Sequence, residues 1–186
     1  MTQQFETART IIRPHQLSDA DAAYEVLRHP LVYRTTYAIP KDFPRARVNW
    51  WISFQQSARK NKTGFEFGVF EKSTGRYLGS CGIINVRRDL QSGVITYFIH
   101  PDFWGRGFAT EAGACMLSFA FQSLSLMRVS GTCMSMNPAS RRVMEKLGFS
   151  YEGTARCELM KDGVFIDVDH LALLRTDAPA ALYLPR

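Results

Sequence analysis

The segment from Tyr97 to Ala112 constrains the fold of this 186-residue chain more than any other. Aromatic and β-branched residues up to Ile99 predict a strand, a loop with Gly105 and Gly107 follows, and an amphipathic helix begins directly after it. Glycines let the backbone pass close to a ligand, and the N–H groups at a helix N-terminus attract anions. The segment therefore predicts an anion site that suits a pyrophosphate.

Two common phosphate-binding motifs do not fit this loop. It lacks the third glycine of a dinucleotide fingerprint, and it lacks the Gly-Lys-Ser/Thr ending of a nucleoside-triphosphate loop. A Gly-x-Gly before a helix is also found in ordinary strand-to-helix turns. The loop therefore has to be interpreted together with its neighbours in the sequence.

The rest of the chain alternates between helical and strand patterns. Period-two patterns and turn signals predict seven strands, at 10–13, 65–71, 77–85, 93–99, 128–134, 149–157 and 164–173. Helices are predicted after Ser18, after Pro44, after Phe108 and after Asn137. Residues 30–44 contain three prolines and are predicted to form a loop.

Composition limits the remaining possibilities. Hydrophobic residues make up 46% of the chain, which favours one packed domain, residues 1–175, followed by a peripheral tail, residues 176–186. The four cysteines form no Cys-x-x-Cys pair, so no metal site is expected. The chain shows neither a leader pattern nor a membrane span, so we expect a cytoplasmic protein with no membrane partner.

The formal net charge of +6 is compatible with nucleic acid, an acidic protein or a small polyanion as partner. Basic residues are concentrated between Arg34 and Lys62, but no nucleic-acid motif accompanies them. We interpret them as a solvated helix face and expect no nucleic-acid partner. An RNA-associated basic protein stays the alternative, and whether residues 30–62 cover an acceptor site stays open.

The phosphate loop resembles the signature of the GNAT superfamily of acetyl-CoA-dependent N-acetyltransferases, Gln/Arg-x-x-Gly-x-Gly/Ala. The matching run is Trp104-Gly105-Arg106-Gly107-Phe108-Ala109, which departs at its first position. With tryptophan at this position, the loop sequence is similar to that of the RimJ/RimL branch of ribosomal-protein N-terminal acetyltransferases. The resemblance extends to Arg175 and implies an α+β (mixed α/β) fold with a mostly antiparallel, splayed, seven-stranded sheet flanked by about four helices.

A second block, residues 137–153, resembles the Asn-x-x-Ser helix and the Gly-Phe strand of the same family. Asn137 and Ser140 are three residues apart at a helix start, so both can face one point, although Asn137 also suits a helix cap. In the family, the arm of the cofactor fills a gap beside the strand that precedes the phosphate loop. The resemblance thus implies cofactor contacts for Phe98, Ile99, His100, Trp104, Gly105, Arg106, Gly107, Phe108, Ala109, Thr110, Asn137 and Ser140.

The resemblance also implies two catalytic residues. Ser140 corresponds to a serine near the leaving sulfur, and Glu158 corresponds to a glutamate on the following hairpin, with a turn of uncertain length after it. Glu66 is the second candidate for the general base. Tyr97 and Tyr151 are more typical of core or wall positions, and His100 directly before Pro101 is a weak candidate base.

The expected activity is acetyl transfer from acetyl-CoA to a primary amine, without a metal and without a covalent enzyme intermediate. The acceptor stays open between the N-terminus of a (ribosomal) protein, a polyamine, an aminoglycoside and a small amino compound. A non-catalytic acyl-CoA-binding module is the alternative from another class. A homodimer also stays open.

Overall fold

One mixed α/β sheet organises the chain in the computed structural model, which describes residues 3–179. Within that range the sheet has eight strands: β1 (Phe5–Glu6), β2 (Thr10–Arg13), β3 (Phe65–Glu71), β4 (Tyr77–Arg87), β5 (Ser92–Ile99), β6 (Arg128–Met134), β7 (Ser150–Lys161) and β8 (Val164–Leu174). The helices are α1 (Ala20–Leu27), α2 (Pro30–Thr35), α3 (Arg45–Lys60), α4 (Phe108–Gln122) and α5 (Pro138–Lys146).

The strands follow the order β1-β2-β3-β4-β5-β6-β8-β7, and every neighbouring pair is antiparallel except β5 and β6. The parallel pair is short. It runs from Ser92 opposite Arg128 to Val94 opposite Ser130, whereas β5 stays paired to β4 as far as Ile99. Because β6 continues to Met134 along β8, the two strands diverge and leave a gap beside residues 95–99.

Helices cover both faces of the sheet. Helix α4 is almost fully buried, with Met116, Leu117 and Phe121 inaccessible, and it packs with β3, β4 and β5 into the larger core. Helices α1, α2 and α3 contribute to a second core on the opposite face, where α3 buries Val48 and Ile52 as its period predicts. The divergent end of β5 thus lies between elements of both layers.

The predicted fold class is confirmed, with one more strand and one more helix than expected. Strand β1 has two residues, too few to produce an alternating pattern, and pairs with β2 through Phe5 opposite Ile12. Helix α2 lies within residues 30–44, which were predicted as a loop. Pro30 occupies its first turn, and His29 Nδ1 accepts a hydrogen bond from the Leu31 N–H.

The C-terminal end of the described range continues past β8 into a short 3₁₀ turn, Arg175–Asp177. Of the tail predicted at 176–186, residues 180–186 lie outside the described residues. Within residues 3–179, no helix combines the length and the apolar composition needed to cross a membrane.

Candidate active site

The loop between β5 and α4 has the backbone that its glycines predict. Gly105 has φ +72° and Gly107 has φ +83°, and Gly107 is the N-cap of α4. A side chain at Gly105 would meet no protein atom within 4 Å, so the space above it is open. The first N–H groups of α4 have no partner within the helix, and together with the helix dipole they form a site for a negatively charged group.

Trp104 explains the departure from the family signature at its first position. Its indole Nε1 donates a hydrogen bond of 2.6 Å to the Ile99 carbonyl at the end of β5. The loop is therefore fixed to the strand by a side chain that also lines the adjacent cavity.

Charged residues hold the other side of the loop in place. The Arg9 guanidinium donates to the Arg106 carbonyl at 2.9 Å and forms an ion pair of 2.7 Å with Glu111 on α4. Glu111 also accepts a hydrogen bond from the Arg9 backbone N–H. Glu111 thus fastens the N-terminal segment to α4.

A cavity of about 270 Å³ opens between the end of β5, this loop and helices α2 and α5. All the predicted cofactor-binding residues line it except His100 and Arg106. His100 Nδ1 accepts from the Asp102 N–H, and burial lowers the pKa of this imidazole. Arg106 lies over the Phe103 and Phe108 rings, 5.1 and 5.3 Å from their centroids.

Two basic side chains in this cavity were not singled out from the sequence. Arg142 and Lys146 are one helical turn apart on α5, and both line the cavity. The i, i+4 spacing of two basic residues after the Asn-x-x-Ser motif is the signal that could have found them. They add positive charge on the wall opposite the α4 N-terminus.

Asn137 and Ser140 occupy the start of α5, as their spacing predicts. Asn137 Oδ1 accepts a hydrogen bond of 3.2 Å from the Ser140 N–H and caps the helix. Its Nδ2 donates to the Thr35 carbonyl at 3.0 Å and ties α5 to the end of α2. Both amide atoms of Asn137 therefore have protein partners while the residue lines the first cavity.

Ser140 is joined to Tyr97 across the gap beside β5. The Tyr97 hydroxyl lies 2.9 Å from Ser140 Oγ and donates to the Ser140 carbonyl at 3.0 Å. Burial raises the pKa of Tyr97, so its hydroxyl keeps its proton. The sequence predicts a core or wall position for Tyr97, whereas the structure places its hydroxyl beside that of Ser140.

A second cavity of about 310 Å³ adjoins the first. The two share Thr35, Thr36, Tyr97, Phe98 and Ser140, so they meet at the hydroxyl pair. The wall of the second cavity is mostly apolar, and its aromatic residues besides Tyr97 are Tyr37, Phe43, Trp50, Trp51 and Phe98. Its lining contains one acidic residue, Glu66, and one basic residue, Arg47.

Glu66 is a buried carboxyl at the base of this second cavity, with 7% of its surface exposed. Its Oε1 accepts from Ser80 Oγ at 2.7 Å, and its Oε2 accepts from Gln55 Nε2 at 2.6 Å. Burial raises the pKa of Glu66 to about 7, and the two hydrogen bonds oppose that rise. Gln55 and Ser80 were not identified as site residues from the sequence.

Glu158, the predicted base, is not brought to Ser140. It lines neither cavity, and its Oε2 lies 2.6 Å from His170 Nε2 on the exposed hairpin of β7 and β8. The register of that hairpin shifts between Ala155 and Leu159, so a bulge interrupts the alternation that would have directed the side chain. The catalytic role of Glu158 stays a prediction without support from this geometry.

Comparison with known proteins agrees with the fold. The sequence model of the acetyltransferase (GNAT) domain matches residues 9–150. The probable N-acetyltransferase YjcK of Bacillus subtilis is 35% identical over 125 residues, which cover 67% of this chain and 68% of that protein.

Solved structures of the same fold include proteins of the branch suggested by Trp104. RimJ of Mycobacterium smegmatis, in complex with CoA-disulfide, has a TM-score of 0.82 at 23% identity and covers 95% of this chain and 88% of its own. The ribosomal-protein-S5-alanine acetyltransferase of Vibrio fischeri has a TM-score of 0.80 at 22% identity, with 95% and 99% covered. The chain belongs to the GNAT family of acetyl-CoA-dependent N-acetyltransferases.

Proposed function

We propose that this protein transfers the acetyl group of acetyl-CoA directly to a primary amine held in the second cavity. The observation that carries the proposal is the junction of the two cavities at Tyr97, Phe98 and Ser140. A donor bound in the first cavity and an amine bound in the second would meet there. No covalent enzyme intermediate is required, because both substrates reach one point.

The first cavity fits acetyl-CoA by its chemistry. Open space above Gly105, the α4 N-terminus and the basic Arg142 and Lys146 suit the phosphates. The backbone of residues 95–99 has no β6 partner, so it can pair with an extended amide-bearing arm as a sheet edge pairs with a peptide. When bound, acetyl-CoA supplies a thioester as the acetyl donor.

Tyr97 and Ser140 are the groups suited to protonate the departing sulfur. Their hydroxyls are 2.9 Å apart, and the raised pKa of Tyr97 keeps its proton available for a developing thiolate. Backbone N–H groups at the unpaired edge of β5 can stabilise negative charge on the carbonyl oxygen. A module that only bound acyl-CoA would not need this hydroxyl pair beside an acceptor cavity.

The acceptor class is a further step. The name of the ribosomal-protein-S5-alanine acetyltransferase gives an alanine of that ribosomal protein as its acceptor, whereas the RimJ structure is named without an acceptor. At 23% and 22% identity they share the fold, and the acceptor of this chain has to be argued from its own second cavity.

The test follows release of free thiol from acetyl-CoA in the presence of peptides with free N-termini, polyamines, aminoglycosides and small monoamines. We expect at least one primary amine to accelerate thiol release, with the acetylated amine identified by mass spectrometry. The Tyr97→Phe, Ser140→Ala double variant is the matched control for uncatalysed hydrolysis. Tight binding of acetyl-CoA with no amine acetylated would support the non-catalytic module instead.

A further inference from the structure

Glu66 lies in the same row of the sheet as Thr96, which is next to Tyr97 at the junction of the two cavities. Glu66 on β3 lies opposite Gly82 on β4, and Gly82 lies opposite Thr96 on β5, so the three share one row and one face. Gly82 has no side chain, and Glu66 and Thr96 both line the second cavity. A Cβ at Gly82 would lie 2.5 Å from the Glu66 Cα, so this row has no room for one.

The Glu66 carboxyl is buried without a cation. Within residues 3–179, no Lys, Arg or His nitrogen forms an ion pair with it at 4.0 Å or less, and its hydrogen-bond partners are Gln55 and Ser80. Ser80 Oγ also lies 3.0 Å from the Phe67 carbonyl, and its single proton is shared between the two acceptors. A buried carboxylate is costly unless it is paired and hydrogen-bonded, so this site favours an incoming cation.

Compared with the titratable groups on the strands around it, Glu66 is the one whose pKa lies near neutral pH. Burial raises the pKa values of Tyr77 and Cys81 on β4 well above their ordinary values. Burial lowers the pKa of His15 to about 3, so this imidazole is neutral. On α3, Arg59 is stacked over the Phe67 ring and Arg47 is near the Phe43 and Trp50 rings, each 6.0 Å from the centroid.

We propose that Glu66 binds the ammonium group of the acceptor and takes its proton, and that the acceptor is a small monoamine with an aromatic or apolar body. The inference rests on the proposed acetyl transfer and adds its general base and its substrate class. The row from Glu66 to Thr96 spans two strand spacings, roughly 10 Å between Cα atoms. A glutamate side chain covers about half of that distance, so Glu66 binds the ammonium and receives its proton through one water.

The proton and electron movements balance. The ammonium gives a proton to the Glu66 carboxylate, and the freed lone pair on nitrogen forms a bond to the thioester carbonyl carbon while the carbon–sulfur bond breaks. The thiolate takes a proton from the Tyr97–Ser140 pair, and the amide nitrogen loses its second proton, which restores that pair through solvent. Glu66 returns its proton to water, so one proton is released for each ammonium acetylated.

The charged residues that line the second cavity favour an acceptor with a single positive charge. Glu66 is the one carboxyl in the lining and Arg47 is a cation, so a second ammonium would find no acidic partner and would meet like charge. The aromatic side chains suit an apolar or aromatic body. A volume of about 310 Å³ is at the lower end of small-molecule pockets, which favours a small acceptor.

The test compares wild type with Glu66→Gln on 2-phenylethylamine and on spermidine as probes. Glutamine keeps the size but replaces one acceptor by a donor. Its Oε1 can accept from Gln55 while its Nε2 donates to Ser80 Oγ, whose proton then goes to the Phe67 carbonyl, and thermal unfolding verifies the fold. We expect kcat/KM for 2-phenylethylamine to fall about a hundredfold at pH 7, with the loss shrinking as pH rises and free amine forms. Glu25→Gln is the control. Glu25 is an exposed residue of α1 whose carboxylate pairs with Arg28, so this variant should keep full activity.

Two results would overturn the proposal while leaving acetyl transfer intact. One is a Glu66→Gln variant with activity within threefold of wild type and an unchanged pH profile. The other is a kcat/KM for spermidine, or for a peptide with a free N-terminus, tenfold above that for 2-phenylethylamine.

A binding measurement separates this proposal from failure of the proposed function. Calorimetric titration of 2-phenylethylamine at pH 6, in two buffers of different ionisation enthalpy, should show proton release for wild type and none for Glu66→Gln. If no amine is acetylated but this Glu66-dependent release is seen, the amine site stands and acetyl transfer does not. Absence of both binding and release in wild type would overturn the amine site.

Discussion

At the scale of single residues, the backbone geometry of the loop between β5 and α4 supports the proposed binding of acetyl-CoA. Gly105 and Gly107 have left-handed φ angles that other residues adopt at a cost. Trp104 uses its indole to hold the Ile99 carbonyl, so the departure from the family signature has a structural role. Gly105 is the clearer of the two glycines to test, because its surroundings are open whereas Arg9 lies 3.4 Å from the Cβ position of Gly107.

Gly105→Ala should weaken acetyl-CoA binding at least tenfold, whereas its effect on the free energy of unfolding should equal that of the matched variant Gly75→Ala. Gly75, in the turn between β3 and β4, has φ +70°, an equally empty Cβ position and no place in either cavity. Alanine at either position should cost roughly 1–2 kcal/mol in the free energy of unfolding. Calorimetry of acetyl-CoA binding and thermal unfolding on the same samples check this. Equal affinity in both variants would contradict a close approach of cofactor at Gly105.

Tyr97 and Ser140 should act as one unit on the leaving sulfur. Tyr97→Phe and Ser140→Ala are each expected to lower kcat roughly a hundredfold, about 2.7 kcal/mol, on an amine accepted by the wild type. The dissociation constant of acetyl-CoA should stay within a few-fold, because the interaction forms as charge develops on sulfur. The double variant should be little worse than either single variant. Additive losses would mean separate roles, and full activity of Ser140→Ala would remove the serine from the mechanism.

At the scale of elements, the sequence predicts the bounds of single strands better than it predicts the tertiary contacts between elements. The bounds of β3 and β6 agree with the predicted 65–71 and 128–134, because apolar alternation and turn residues define both. Helix α2 was missed because six residues among prolines give no helical period. The group around Glu66 needs α3, β3 and β4 to pack together before Gln55 and Ser80 reach it, and no local pattern encodes that packing.

Helix α5 offers a test of how one residue connects two elements. Asn137→Ala should destabilise the protein by about 1 kcal/mol, because the helix cap is lost together with the bond to Thr35 on α2. Asn137→Ser should recover most of that stability, since serine also caps helices, but it cannot reach Thr35 in the same way. Amide hydrogen exchange of α2 should increase in both variants. Unchanged exchange in α2 would show that the Thr35 bond is not what holds that helix.

At the scale of the whole molecule, the two cores have unequal roles. The core around α4 contains more of the buried apolar residues and supports the β5 strand from one face. The core of α1, α2 and α3 covers the other face beside the second cavity, where the buried Glu66 lies. A carboxyl without a cation in such a place lowers the stability of the fold once it ionises. This cost should appear in the pH dependence of global unfolding.

The stability difference between Glu66→Gln and wild type should therefore depend on pH. The pKa of Glu66 is raised from 4.5 to about 7 in the folded protein, because burial disfavours the carboxylate. Between those values the unfolded chain loses this proton and the folded protein keeps it, so wild-type stability falls as pH rises through the window. Relative to Glu66→Gln, the wild type should lose about 3 kcal/mol in the free energy of unfolding by pH 8 and nothing below pH 4.

Urea unfolding of both proteins at pH 4, 6 and 8 measures this difference. Asp19 and Asp169, whose pKa values are lowered, contribute in the opposite direction, and comparing the two proteins at each pH cancels that contribution. A difference that is the same at all three pH values would show that Glu66 ionises as readily in the fold as in the unfolded chain.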